Sequence, residues 1–315
     1  MKFIKAIKKT NPSRKLKKES LKDETSRSSR MSRLVPGLLA DEGLRIGGAA
    51  TATETEQSSE HRFDGGTFDV PEANGSKLDP HVLQAGTTAT IDVDRVNRHL
   101  VAITDPKSAF AEEYRDLRTT LLHKSKKQRL RTIAIVSVAP EEGKSVTALN
   151  LAWLLAQTEG VRALLIDGDM RRPSICKYLG LDDRPGLSEL LDGEIALKDA
   201  LVKLEPSGLN LLPGGRARSD VAEQISGPNF AGMLDEIQRS FDFVIMDAPP
   251  LGVFVDAKVL IDQADGALLV LRRDFTNYKE IDRILEGLPR QRMLGVVLNQ
   301  AEETLISGRY YYDQY

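Results

Sequence analysis

Apolar positions along this chain fall into two alternating periods. Residues 132–139 are apolar, β-branched or small throughout, which predicts a strand buried on both faces. Runs at 162–168, 243–248, 266–272 and 293–299 read the same way, and 209–213 is strand-like. Between them, apolar residues recur at helical spacing over 146–157, 230–241, 256–263 and 278–288, with short helical pieces at 178–181 and 186–191. Upstream, 108–122 predicts a helix whose apolar side is Phe110, Tyr114, Leu117, Leu121 and Leu122, and the basic run 123–129 reads as a connector. Continuous apolar strands separated by helices imply an α/β fold of three layers, its central sheet mostly parallel and covered on both faces. Ligands of such sheets bind beyond the carboxyl ends of the strands. Lys144, Asp167, Asp169, Asp247 and Asn299 all fall there.

The periodic pattern is missing from the first ninety residues. Positions 1–34 carry twelve Lys and Arg against Glu19, Asp23 and Glu24. The opening residues put Phe3, Ile4 and Ile7 on one helical side and lysines on the other, so the segment is either a short interfacial helix or a solvated basic tail. From 38 to 91 the composition turns to Gly, Ala, Thr, Ser, Glu and Asp without a period, as expected of disordered linker. Three parts follow: a largely disordered extension over 1–90, an ordered domain over 91–305, and a flexible tail over 306–315.

Net charge is −2, which argues against general polyanion binding and against a nucleic-acid partner. A single cysteine, Cys176, gives no internal disulfide framework and fits a reducing cytoplasm. No apolar run approaches the roughly 20 residues of a membrane span. His61, His81, His99 and His123 have no metal-ligand spacing, and Trp153 belongs to the core side of its helix.

Three stretches carry chemistry. After the strand at 132–139, Pro140, Glu141, Glu142 and Gly143 form a turn, and Lys144, Ser145 and Val146 open a helix. Backbone N–H groups and the positive end of the helix dipole would converge there on a polyphosphate. Lys144 would reach the β/γ-phosphates and the Ser145 hydroxyl would ligate Mg²⁺, although Val138 stands at the usual first glycine of the motif. In the second stretch, Asp167 and Asp169 emerge together at a strand end and suit Mg²⁺ coordination or acceptance of a hydroxyl proton, with Arg171 and Arg172 available to neutralise phosphate. In the third, apolar residues run into Asp247, the metal-holding aspartate of a Walker B pattern, followed by Pro249 and Pro250. Asn299 offers an amide that could read adenine or close a strand-end turn. Finally, four of the seven tyrosines, Tyr310, Tyr311, Tyr312 and Tyr315, crowd into the last six residues. They are either available phosphoacceptors, each phosphate adding about −1.5 to −2 charges, or a sticky aromatic segment for a partner.

These stretches match a family. The chain from about Val93 onward resembles the cytoplasmic domain of bacterial tyrosine kinases, the CpsD/CapB type of capsular exopolysaccharide proteins, which are relatives of the ParA/MinD class of P-loop ATPases. The resemblance rests on SVAPEEGKS (137–145) as Walker A, LLIDGDMRRP (164–173) as the additional Walker A′ and FDFVIMDAPP (241–250) as Walker B. EEYRDLRT (112–119), GLSELL (186–191), LLPGG (211–215), GVVLN (295–299) and the tyrosine cluster support it. It implies a P-loop NTPase fold and an ATP- and Mg²⁺-dependent tyrosine autokinase that regulates exopolysaccharide or capsule assembly and export. Lys144 and Ser145 would serve as phosphate and Mg²⁺ contacts, Asp167 as the base on the incoming phenol, and Asp169 and Asp247 as metal contacts. Glu112, Arg115 and Arg118 fit the family's E-x-x-R-x-x-R pattern and would form a contact in a ring-shaped homo-oligomer, one subunit's tail entering its neighbour's site. The family's membrane-spanning adaptor is absent from this chain, which implies a separate inner-membrane, Wzz-type chain-length-determining partner, recruitment to the inner face of the plasma membrane, and a cognate tyrosine phosphatase. Glu141 stands where relatives commonly have Gly. Two other readings stay open: a ParA/MinD-like ATPase switch, against which Ala139 in place of the switch lysine counts, and a nucleotide-binding scaffold of the polysaccharide machinery.

Overall fold

The computed structural model describes residues 2–5 and 83–301. Among the described residues nine strands form one sheet in the order β1-β9-β8-β3-β7-β4-β6-β5-β2. In chain order the strands are β1 (Lys2–Lys5), β2 (Thr87–Thr90), β3 (Thr132–Ser137), β4 (Ala163–Asp167), β5 (Val202–Glu205), β6 (Leu209–Leu212), β7 (Phe243–Asp247), β8 (Gly266–Arg272) and β9 (Met293–Asn299). The helices are α1 (Val101–Thr104), α2 (Ala109–Lys127), α3 (Lys144–Ala156), α4 (Ile175–Tyr178), α5 (Leu187–Leu191), α6 (Leu197–Ala200), α7 (Val221–Ile225), α8 (Pro228–Ser240), α9 (Asp256–Gln263) and α10 (Tyr278–Glu286).

The centre of the sheet is parallel: β3 lies between β7 and β8, and β4 lies beside β7. Every residue of β3, β4 and β7 is buried, because alternate side chains feed two separate cores. Ile133 and Ile135 face α2 and α3, packing with Tyr114, Leu117, Leu149 and Trp153. Ala134 and Val136 face α8 and α9, packing with Phe230, Ile237, Leu260 and Ile261. Truncating a fully buried ring such as Phe230 to alanine would cost about 3–5 kcal/mol. This double cover holds the carboxyl ends of β3, β4 and β7 side by side.

Three expectations need correction. The basic run after residue 122 is helix, not connector: α2 continues to Lys127, where Lys124, Lys126 and Lys127 meet the negative end of the helix dipole. The opening of the chain is neither helix nor free tail over Lys2–Lys5, which pairs antiparallel with β9, Lys5 opposite Gly295, and so forms the edge of the sheet; without it β9 would offer unpaired backbone groups to any extended segment. Regular structure also begins before Ile91, with β2 beside β5. β5 itself, four residues of alternating burial in an antiparallel pair with β6, had no sequence signal long enough to read. Tyr310, Tyr311, Tyr312 and Tyr315 lie outside the described residues.

Candidate active site

The loop between β3 and α3 needs backbone conformations that most residues avoid. Glu141 has φ +64° and Gly143 has φ +93°, the left-handed region that costs an L-residue roughly 1–2 kcal/mol. Gly143 is the cap of α3, whose residues from Ser145 to Leu155 are nearly all buried, so the helix start is fixed from behind. Pro140 has no N–H to donate and shapes the turn. Val146 packs its side chain against the α2–α3 core, and its N–H lies in the first turn of α3, where helices have no intrahelical acceptor. Glu142 is fully buried and faces inward: its carboxylate accepts the Ala139 N–H at 2.7 Å and the Thr276 hydroxyl. The Asn299 amide donates to the Glu142 carbonyl at 3.0 Å. Glu142 and Asn299 therefore brace the loop, and the exposed turn is left to Pro140 and Glu141.

Lys144 draws the three motifs together. Its ammonium lies 3.2 Å from Asp169, 3.6 Å from Asp247 and 3.2 Å from the Ser145 hydroxyl. Burial alone would lower the Lys144 pKa, but Asp247, Asp169 and Asp167 outweigh it and hold the ammonium charged. Asp167 and Asp247 are direct partners across the β4–β7 ladder. Burial, reinforced by the Asp247 charge, pushes the Asp167 carboxyl up to about 7. One Asp167 oxygen accepts the N–H groups of Ser174 and Ile175 at 2.9 and 3.0 Å, while the other is buried without a hydrogen-bond partner. Asp247 is raised as well, by burial first, with Lys144 opposing.

Neither buried carboxylate oxygen of Asp247 has a hydrogen bond of full geometry; the Lys144 ammonium, 3.6 Å away, and the Ser145 hydroxyl lie beside them. Orphaned carboxylate oxygens are hard donors that suit Mg²⁺. Among the described residues no group of three His, Cys, Asp or Glu forms a ready metal cage. Mg²⁺ is ordinarily held by one or two carboxylates together with phosphate oxygens and water.

The remaining candidates sit further out. Arg171, expected near phosphate, instead forms a bidentate ion pair with Asp256 at 2.6 and 3.2 Å. Glu112 and Arg115 pair with each other at 2.6 Å along α2, and the Arg118 Nε is buried with no hydrogen-bond partner. Sequence reasoning missed Asp256 and Thr276: neither belongs to a motif, and only the fold brings them to their partners.

Similarity to known proteins follows the same residues. The AAA_31 family, an AAA domain, matches residues 130–290. The chain is 32% identical over 207 residues to the tyrosine-protein kinase YwqD of Bacillus subtilis (strain 168), covering 65% of this chain and 87% of that one. It is 33% identical over 218 residues to the succinoglycan biosynthesis transport protein ExoP of Rhizobium meliloti (strain 1021), covering 68% of this chain but 27% of that longer protein. Among solved structures, the chimerical protein CapA2B2 superposes with a TM-score of 0.60 at 29% identity, over 70% of this chain and 94% of that one.

Proposed function

This chain belongs to the bacterial tyrosine-kinase family of P-loop ATPases, and from that premise we propose that it is an ATP- and Mg²⁺-dependent protein-tyrosine autokinase acting in exopolysaccharide or capsule assembly and export. The observation that carries the reading is Lys144 held between Asp169 and Asp247, one cation serving all three motifs. Phosphoryl transfer asks for positioning and charge neutralisation more than covalent chemistry. The loop backbone and Lys144 bind the β/γ-phosphates. Ser145, Asp247 and Asp169 hold Mg²⁺, which when bound supplies charge neutralisation on the phosphate oxygens. The acceptor phenol oxygen bonds to the γ-phosphorus, the bond to the β,γ-bridging oxygen breaks, and the phenol proton passes to Asp167. ADP leaves. A carboxyl whose pKa lies near neutrality is matched to that exchange.

The acceptors in this reading are Tyr310, Tyr311, Tyr312 and Tyr315 of a neighbouring copy in a ring joined through Glu112, Arg115 and Arg118. Asn299 ends its strand and braces the phosphate-binding loop through the Glu142 carbonyl. Among the described residues no helix is long and apolar enough to cross a membrane. In this reading a separate inner-membrane adaptor brings the kinase to the membrane's inner face, and a tyrosine phosphatase resets the tail. Incubating the full chain with ATP and Mg²⁺ tests this. Phosphotyrosine mapped by mass spectrometry should be confined to the last six residues and vanish in Lys144→Met and Asp169→Ala. Labelling elsewhere, or full labelling of either variant, overturns the assignment.

A further inference from the structure

We infer that Arg171 is a positioning residue for the acceptor side of the reaction: through Asp256 it ties the loop carrying Asp169 to the loop that follows Asp247. The inference rests on the kinase reading above and adds a function for a residue that touches neither nucleotide nor metal in it.

Two loops leave adjacent strands here. The one after β4 carries Asp169 and Arg171, and the one after β7 runs from Asp247 to Asp256. At their base they are joined by backbone, the Gly168 N–H donating to the Asp247 carbonyl at 2.9 Å. Gly168 has no room for a side chain, since a Cβ would lie 2.9 Å from that same carbonyl oxygen. At their tips they are joined by a planar fork. Arg171 Nε donates to one Asp256 oxygen at 2.6 Å and Nη2 to the other at 3.2 Å. The Phe254 ring covers the guanidinium, 4.5 Å from its central carbon.

The burial pattern shows how much of the second loop depends on that fork. Its first half is anchored independently: Leu251 and Gly252 donate their N–H groups to the carbonyls of Ser137 and Val138 at 2.8 and 2.9 Å. Its second half alternates. Val253 and Val255 are 53% and 63% exposed, whereas Phe254 turns towards Arg171 and Asp256 is wholly buried. A fully buried carboxylate needs a cation, because an ion pair broken on one side leaves an uncompensated charge out of water. Without Arg171 the Asp256 end of this loop would move to reach solvent, and its tie to the loop that carries Asp169 would be lost. Nucleotide contacts come from the separate loop of residues 140–146, which Arg171 does not touch. Loss of the fork therefore acts on phosphotransfer to the phenol and spares nucleotide binding.

The test uses the full chain with Mg²⁺ and compares wild type with Arg171→Lys, Arg171→Gln, Asp256→Asn and the exchanged pair Arg171→Asp with Asp256→Arg. The readouts are ADP affinity by titration calorimetry and the rate of phosphotyrosine formation at saturating ATP. Arg171→Gln and Asp256→Asn should lose about tenfold or more in rate with ADP Kd changed by less than about twofold, as small misplacements of reacting groups do. Arg171→Lys, a point charge without the fork, should fall between, and the exchanged pair should recover part of the loss. ADP affinity falling in step with rate, with no recovery in the exchanged pair, would show a merely structural bond and overturn the inference. An Arg171→Gln chain as fast as an active wild type overturns this inference alone; a wild type that binds ADP yet forms no phosphotyrosine overturns the kinase reading and the inference with it.

Discussion

The side-chain amide of Asn299 donates to the backbone carbonyl of Glu142 at 3.0 Å, and its oxygen accepts the N–H of Gln300 at 2.9 Å. The last residue of β9 is thereby fastened to the phosphate-binding loop, directly over Gly143. A Cβ on Gly143 would lie 2.0 Å from the Asn299 nitrogen, so this glycine is required both by its φ of +93° and by the amide above it. Glu142 completes the brace from inside. Its buried carboxylate links the loop to Thr276, on the segment between β8 and α10.

Asn299→Ala should weaken ATP and GTP binding by the same factor and lower stability by about 1 kcal/mol, the net value of one hydrogen bond. Calorimetric titration with both nucleotides and a thermal melt check this. A loss confined to ATP would instead assign the amide to adenine.

Glu141→Gly should stabilise the protein by about 1 kcal/mol, the left-handed penalty relieved less the extra chain entropy of glycine. Glu141 adopts φ +64°, a conformation natural to glycine. Removing its carboxylate also removes a negative charge from the mouth of a phosphate site, so ADP affinity should rise. An unchanged melting temperature together with unchanged affinity would mean that the turn tolerates glutamate without cost.

Much of this site was legible in the sequence because its residues lie at or just beyond the ends of buried, largely apolar strands. β3, β4 and β7 could be read from their burial on both faces, and their ends carry Lys144, Asp167, Asp169 and Asp247. What could not be read depends on distance in the chain. Asp256 reaches Arg171 across 85 residues and Thr276 reaches Glu142 across 134, pairings that no local period encodes. Short strands were lost for a different reason: Thr87–Thr90 and Val202–Glu205 are too brief for alternation to stand out, and it is pairing with each other, and of the second with Leu209–Leu212, that gives them shape. The basic run ending α2 looked like a connector because charge hid its helical register.

Charge reversal of Arg115 and Arg118 to glutamate should leave folded monomers, measured by light scattering against the wild-type mass. Within one chain Arg115 is paired with Glu112 along α2, and replacing it puts like charges at i and i+3. That costs a helix only about 0.2–0.5 kcal/mol, too little to unfold a 19-residue helix packed through Tyr114, Leu117 and Leu121. A mass that does not change would remove this face from the subunit contact.

The protonation of Asp167 gives a pH signature of its own. In the nucleotide-free fold its pKa is about 7, against an ordinary value of 3.8, because burial and then the Asp247 charge disfavour the anion more than Lys144 and two N–H groups favour it. Between those two values the folded chain binds more protons at this site than the unfolded chain does. Stability from this group is therefore present at low pH and is lost as pH rises through the folded pKa, at up to about 1.4 kcal/mol per pH unit. Asp167→Asn carries no such linkage. The stability of the variant relative to wild type should grow from about pH 5 to pH 7 and flatten above, as read from urea unfolding at each pH. The same ionisation arms the base, so autophosphorylation by the wild type should climb over that interval as unfolding stability declines. A stability gap that stays flat with pH would mean that Asp167 is already ionised at pH 5, held by Lys144, and that the proton accepted from tyrosine goes elsewhere.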